Sequence, residues 1–186
     1  MRNFSRMRRA RGARTGTALG SLPFAAAALT ATAALYIALV AFGNITDFDT
    51  NREFVRHVLA MDTTFRDKDL MWRAITDRTV QDAVYVAIIA WETVTALVLI
   101  AATVRWVRGL LRGGTGGYGP ARRAGTLGLV MLMLLFGAGF IAIGGEWFAM
   151  WQSAKWNGLQ AAERNFLLAG VVLVVTWLPD GSGAGR

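Results

Sequence analysis

Four long apolar runs, separated by stretches dense in charge, constrain this chain more than any other feature. They extend over about Leu22–Phe42, Gln81–Val107 and Gly125–Trp147, with a fourth in "NFLLAGVVLVVTWLP". The fourth has only about 14 apolar residues before Pro179. At 1.5 Å per residue it falls short of a hydrocarbon core about 30 Å thick. Drawn back to Gly158 it is long enough, and Glu163, Arg164 and Asn165 then occupy its first turns. A soluble domain of this length reads instead as shorter amphipathic pieces. With 54% apolar residues, the 186-residue chain is expected to be one all-α integral membrane domain. It is a bundle of four transmembrane helices, about 20–43, 81–107, 125–147 and 158–178, with an amphipathic helical segment on its outer face.

The charge between the runs sets the expected topology. The tail "MRNFSRMRRARGAR", within residues 1–18, holds six arginines and no acid. The apolar run after it is longer than the core of a usual signal peptide, and "GNITDFDTN" is a poor cleavage site. An uncleaved signal anchor is the expectation. The stretch Arg105–Arg123, around the loop 108–124, has five arginines and no acid, whereas Asn44–Asp82 has six basic and eight acidic residues. Excess arginine marks the cytoplasmic side. Both termini and the Gly-rich loop are therefore expected in the cytoplasm of a bacterial plasma membrane, and residues 44–80 outside. The net charge of +8 then reflects topology and contact with anionic lipid, not nucleic acid. "GGTGGYG" reads as a linker, because it lacks the strand context and the Lys-Ser/Thr of a phosphate loop.

In the outer segment, a cap at Thr50 or Asn51 would start a helix. Phe54, Val55, Val58, Leu59 and Met61 would share one of its faces. Leu70, Met71, Ile75 and Val80 suggest a second amphipathic piece. A lid on the bundle and a docking surface are both open readings.

The residues that might carry chemistry are few. With no cysteine, the chain offers no thiolate for zinc or iron–sulfur ligation. A single histidine, His57, cannot make a bis-histidine haem site. It reads as an interface residue, as a proton donor to a quinone, or as a single metal ligand. Glu92 lies inside "VYVAIIAWETVTALVLIAATV", about 15 Å from Asp82 and near the expected midplane. A carboxyl there must be protonated, hydrogen-bonded or paired. Thr95, one turn on, is an expected partner. It serves either as interhelical glue or at a site. "GGEWFAMWQSAKWNGLQAAERNF" is the densest stretch. Trp147, Trp151 and Trp156 suit a membrane interface. Interleaved with Glu146, Asn157 and Arg164, they also suit the wall of a pocket for a flat amphiphile or a subunit contact. Trp147 and Trp151 would share a face if the helix continues, and Glu146 would pair with Arg164. Trp91, beside Glu92, completes the set of quinone or partner contacts. Gly137, Gly139, Gly144 and Gly145 would let helices approach closely. No nucleophile elbow, HExxH or paired-acid motif is present, so no catalytic or metal residue is assigned.

"YVAIIAWE", "FVRHVLAMDTTF", and above all "GGEWFAMWQSAKWNG" followed by "AAERNF", resemble a bacterial family of predicted small integral membrane proteins with no assigned activity. The resemblance covers most of the chain after the basic tail. The chain is also similar in kind to the membrane anchors of respiratory complexes, succinate dehydrogenase in particular. The Arg-rich tail and Gly/Ala-heavy composition suit an actinobacterial host. That likeness implies an accessory subunit, non-catalytic by itself. Its partners would be another membrane subunit and soluble flavoprotein and iron–sulfur subunits. It would help wall a shared menaquinone or ubiquinone site, with no haem or iron–sulfur ligation from this chain. It departs from many such anchors in having no histidine in its apolar runs. The alternative is a small proton-coupled transporter or channel using Glu92. Nothing in the sequence speaks for a sensor or an assembly factor.

Overall fold

A computed structural model describes residues 20–179. The arginine-rich tail lies outside the described residues. Among those residues every regular element is helical, and four helices are long and apolar enough to cross a membrane. α1 (Leu22–Thr46) begins at the Ser21 cap, whose hydroxyl accepts from the Phe24 N–H. It runs to the end that carries α2 (Phe48–Ala60), called here the roof end. α3 (Arg78–Leu111) returns to the opposite, loop end. α4 (Gly119–Met133) comes back and continues as a wider, π-helical segment over Leu134–Trp147. α5 (Leu159–Trp177) crosses a last time. α1 packs on α3, α3 on α4, α4 on α5 and α5 on α1, closing an up-down ring of four.

The long helices contain the apolar runs and extend past several of them, α4 by starting at Gly119 and α3 by ending at Leu111. α3 starts at Arg78 because Asp77 caps it, its carboxylate accepting from the N–H groups of Thr79 and Val80. α2 starts at Phe48, with Asp47 rather than Thr50 or Asn51 in the cap position but making no side-chain capping bond, and Thr50 Oγ1 donates to the Asp47 carboxylate. The third span is α-helical only as far as Met133. π-helix is rare and occurs mostly as single turns, frequently at functional sites.

α2 is the amphipathic helix expected. Val55 and Leu59 are buried beneath it, and Phe54 and Val58 pack beside them. Arg56 donates from Nε and Nη2 to the two carboxylate oxygens of Asp82, at 2.9 Å each, and from Nη1 to Glu53 at 2.7 Å. These carboxylates, Asp82 first, raise the Arg56 guanidinium above its ordinary range, so α2 is clamped to the start of α3. The second expected amphipathic piece is not an α-helix. It is an irregular stretch with one 3₁₀ turn, Met71–Arg73. It is held by the Ile75 N–H to the Leu59 carbonyl and the Gln81 amide to the Ile75 carbonyl. α2 ends at Met61, which is buried with φ at 51°.

The middle of the bundle is dry. Ile37, Leu99, Leu129 and Leu132 have no exposed surface. Gly128 lets α4 close on α3: a Cβ there would lie 2.6 Å from the Leu99 side chain. Gly137 and Gly145 play the same part against Phe166 and Leu159, each at 2.8 Å. At the loop end Trp106 is fully buried and stacked on Tyr118, and Trp177 Nε1 donates to Thr126 Oγ1.

Candidate functional site

Glu92 is 3% exposed and accepts a 2.7 Å hydrogen bond at Oε2 from Asn44 Nδ2. Asn44 Oδ1 accepts in turn from Asn51 Nδ2 at 2.6 Å, and Tyr85 donates its hydroxyl to the Asn44 carbonyl. Asn44 lies in the last turn of α1, Asn51 on α2 and is exposed. The carboxyl is therefore two hydrogen bonds from an exposed side chain. The midplane placement counted only along α3, where Asp82 is about 15 Å away. It missed this shorter route through the end of α1. Thr95 is not the partner either, because its hydroxyl donates to the Trp91 carbonyl of its own helix.

The carboxyl lines a cavity of about 230 Å³ at the centre of the bundle, directly under α2. Five aromatic rings wall it: Tyr36, Phe54, Tyr85, Phe136 and Phe140. Its floor and sides include Val40, Ile88 and Ala162. The Tyr36 hydroxyl is near the buried Asn165 amide and within electrostatic reach of Glu92 and Arg164. Among the described residues, the second oxygen of Glu92 has no hydrogen-bond partner. One carboxyl thus faces a largely apolar, aromatic chamber. The arrangement suits a small ring bearing one or two oxygen functions, held by its edge at Glu92 and by its faces against aromatic walls.

The family comparison bears on these elements directly. The model of the family described as "Predicted small integral membrane protein (DUF2165)" matches residues 22–179. The chain belongs to this family. The match starts with α1 and ends just past α5, so every helix that walls the DUF2165 cavity lies inside it. No curated protein and no solved structure shows significant similarity to the chain. The likeness to succinate dehydrogenase anchors gains no support.

The other expected contacts are mostly not brought to the cavity of this DUF2165 protein. Trp91 points outward, 41% exposed, and its Nε1 donates to the Met131 carbonyl. The π-helical segment ends at Trp147, and Ala149 turns the chain with φ at 50°. Trp147 and Trp151 therefore do not share a helical face. Trp147 meets Trp72 edge-on beneath the Arg73 guanidinium, and Trp151 meets Phe65. Both are about half exposed. Glu146 and Arg164 are exposed and are not ion-paired with each other. Asn157 turns the chain into α5 by accepting from the Leu159 N–H. Trp156 stacks on His57 at 4.6 Å, edge-on to Phe54. His57 Nδ1 contacts the Asp62 carboxylate at 2.8 Å. Only these two approach the site, from behind Phe54. Asn44, Asn51, Tyr36 and Tyr85 are the residues sequence reasoning missed. The one available signal was Asn44 and Asn51, seven apart and two helical turns if the segment were helical, with Asn51 read only as a candidate cap.

Proposed function

We propose that this protein is a small accessory subunit of a membrane oxidoreductase, and that it holds a quinone ring in the Glu92 cavity. The observation that carries the reading is a lone buried carboxyl at the edge of an aromatic chamber of ring size. An engineered apolar cavity of about 150 Å³ takes benzene, so 230 Å³ admits an oxygenated ring. A neutral Glu92 would donate to a quinone carbonyl, and an ionised one would accept from a quinol hydroxyl. The arginine-rich loop and tail support an orientation with both termini in the cytoplasm, which places α2 and the cavity mouth at the outer face. The ring would be that of menaquinone or ubiquinone. The partners would be a second membrane subunit with flavoprotein and iron–sulfur subunits, meeting the exposed aromatics Phe65, Trp72, Trp147 and Trp151. Anionic lipid would meet the basic loop.

The alternative, a proton-coupled carrier using Glu92, draws on the Asn44–Asn51 link to the surface. It needs a route onward to the loop end. There the axis of the bundle is filled by Ile37, Leu99, Leu129 and Leu132, which favours a one-sided site.

The test is mild-detergent purification of the tagged chain, followed by mass spectrometry and quinone titration. Stoichiometric redox subunits, and quinone binding that Glu92→Gln weakens without unfolding the chain, support the proposal. A lone chain with no quinone affinity would end it, and proton flux in liposomes would then decide for the carrier.

A further inference from the structure

The Glu92 cavity is not isolated. It shares Phe54, Val55, Ile88 and Phe140 with a second cavity of about 190 Å³. The second is lined by hydrocarbon alone apart from Met150 sulfur and backbone: Val58, Leu59, Val84 and Ile143 are among its walls. It shares Val84, Ile88, Leu135 and Gly139 with a cleft on the bundle's outer surface, between α3 and the π-helical segment. Trp91, Ala87 and Leu134 complete that cleft. Val86 and Leu134, exposed beside it, are groups that face lipid in a membrane protein. Three neighbouring spaces with common walls thus lie in a row between the lipid side and a buried carboxyl.

We infer that the ligand carries a flexible hydrocarbon chain, which occupies the apolar cavity, and that it enters sideways from the leaflet at the roof end, between α3 and the π-helical segment. This rests on the reading of the Glu92 cavity as the seat of an oxygenated ring. Toward water the cavity reaches a rim at the exposed Asn51 and Ala161, beneath an α2 that is tied down by Asn51 to Asn44, Arg56 to Asp82, and the Leu59 carbonyl to Ile75. At the edge of the lateral cleft the Trp91 indole spans from α3 to the Met131 carbonyl of α4. Gly139 sits at the junction of cleft and cavity. The spaces beside Gly137 and Gly145 are filled by Phe166 and Leu159, but a Cβ at Gly139 would meet nothing closer than a carbonyl oxygen at 3.9 Å. A cavity without hydrogen-bonding side chains, opening toward lipid, selects hydrocarbon over any polar extension of the head. At 190 Å³ it takes the first few carbons of such a chain, and the rest lies along the cleft.

The experiment compares a decyl-substituted benzoquinone with the same ring carrying a methyl group instead, titrated into the full chain in nanodiscs. The readout is quenching of tryptophan fluorescence. The decyl compound should bind the wild type at least about tenfold more tightly, since each buried methylene adds to the transfer term. Gly139→Phe, which fills the junction, should abolish that advantage and leave the methyl compound unchanged. Equal affinities in the wild type, or a Gly139→Phe variant that keeps the decyl preference, would overturn the lateral chain site while the ring site stands. Failure of both compounds to bind the wild type would overturn the ring site itself, and this inference with it. A diazirine on the tail of the decyl compound gives a second measurement that needs no variant. Adducts should fall within residues 84–91 and 134–143, and adducts confined to α1 or α5 would overturn the inference.

Discussion

The two ends of the bundle are built on opposite principles. At the loop end, polar side chains are few and bond mostly within their own helix: Thr103 Oγ1 donates to the Leu99 carbonyl and Thr176 Oγ1 to the Leu173 carbonyl, Trp177 to Thr126 is a bond between helices, and Trp106 Nε1 is buried without a partner. Small residues, Ala33, Ala34, Ala96 and Ala169, bring the helices together around branched side chains. At the roof end, three helices and α2 contribute side chains that bond across elements, and cavities remain between them. Without a hydrophobic force between helices in lipid, close packing supplies the stability. The loop end does this, which leaves the roof end free to keep space and a carboxyl. The contrast teaches where to look for chemistry: at the end where packing is incomplete and hydrogen bonds run between helices.

That contrast can be broken by substitution. The largest expected effect is at the well-packed end. Gly128→Val forces a side chain against Leu99 and should cost roughly 3 kcal/mol or more. A thermal-melt series in detergent would show it as a large loss of Tm. Next is Asn44→Leu, which strands the buried Glu92 and unties the exposed Asn51. Leaving buried polar groups unpaired costs about 1–3 kcal/mol, and the variant should lose quinone affinity as well as Tm. A variant that lost Tm alone would blur the difference between the two ends. Arg56→Ala should leave the core intact and loosen the roof. Amide exchange over residues 48–60 should then speed up with little change in α1 or α5, and uniform protection would show that α2 does not depend on its clamp. The smallest effect is expected for Thr95→Val, because that hydroxyl serves only its own helix. The change should be within about 0.5 kcal/mol, with quinone affinity unchanged.

The same contrast explains what could be read from the sequence. The four spans were legible because apolar runs and arginine counts are local properties of the chain. So was the peculiarity of Glu92, a carboxyl among hydrocarbon. Its setting was not. Asn44 is 48 residues away and sits in a stretch whose Asn, Asp and Thr suggest a loop. There α1 runs four residues past its apolar run before Asp47 ends it. The tryptophans of "GGEWFAMWQSAKWNG" pointed to a pocket by composition. Ala149, in a left-handed conformation no pattern announces, sends Trp147 and Trp151 outward, and Phe148 and Met150 line the apolar cavity in their place. The π-helical ladder was illegible for the same reason. The glycines suggested close approach, and Gly137 and Gly145 provide it, but nothing local marks where the hydrogen-bonding register widens.

α3 has 34 residues, and at 1.5 Å each it measures about 51 Å, some 20 Å more than a hydrocarbon core. A rod that overhangs its bearing is a lever. Its upper arm is bolted to α2 through Asp82, and its lower arm carries Arg105, Arg108 and the stem of the glycine-rich loop. The overhang is long enough to keep both the Arg56–Asp82 pair and the loop-end arginines clear of hydrocarbon.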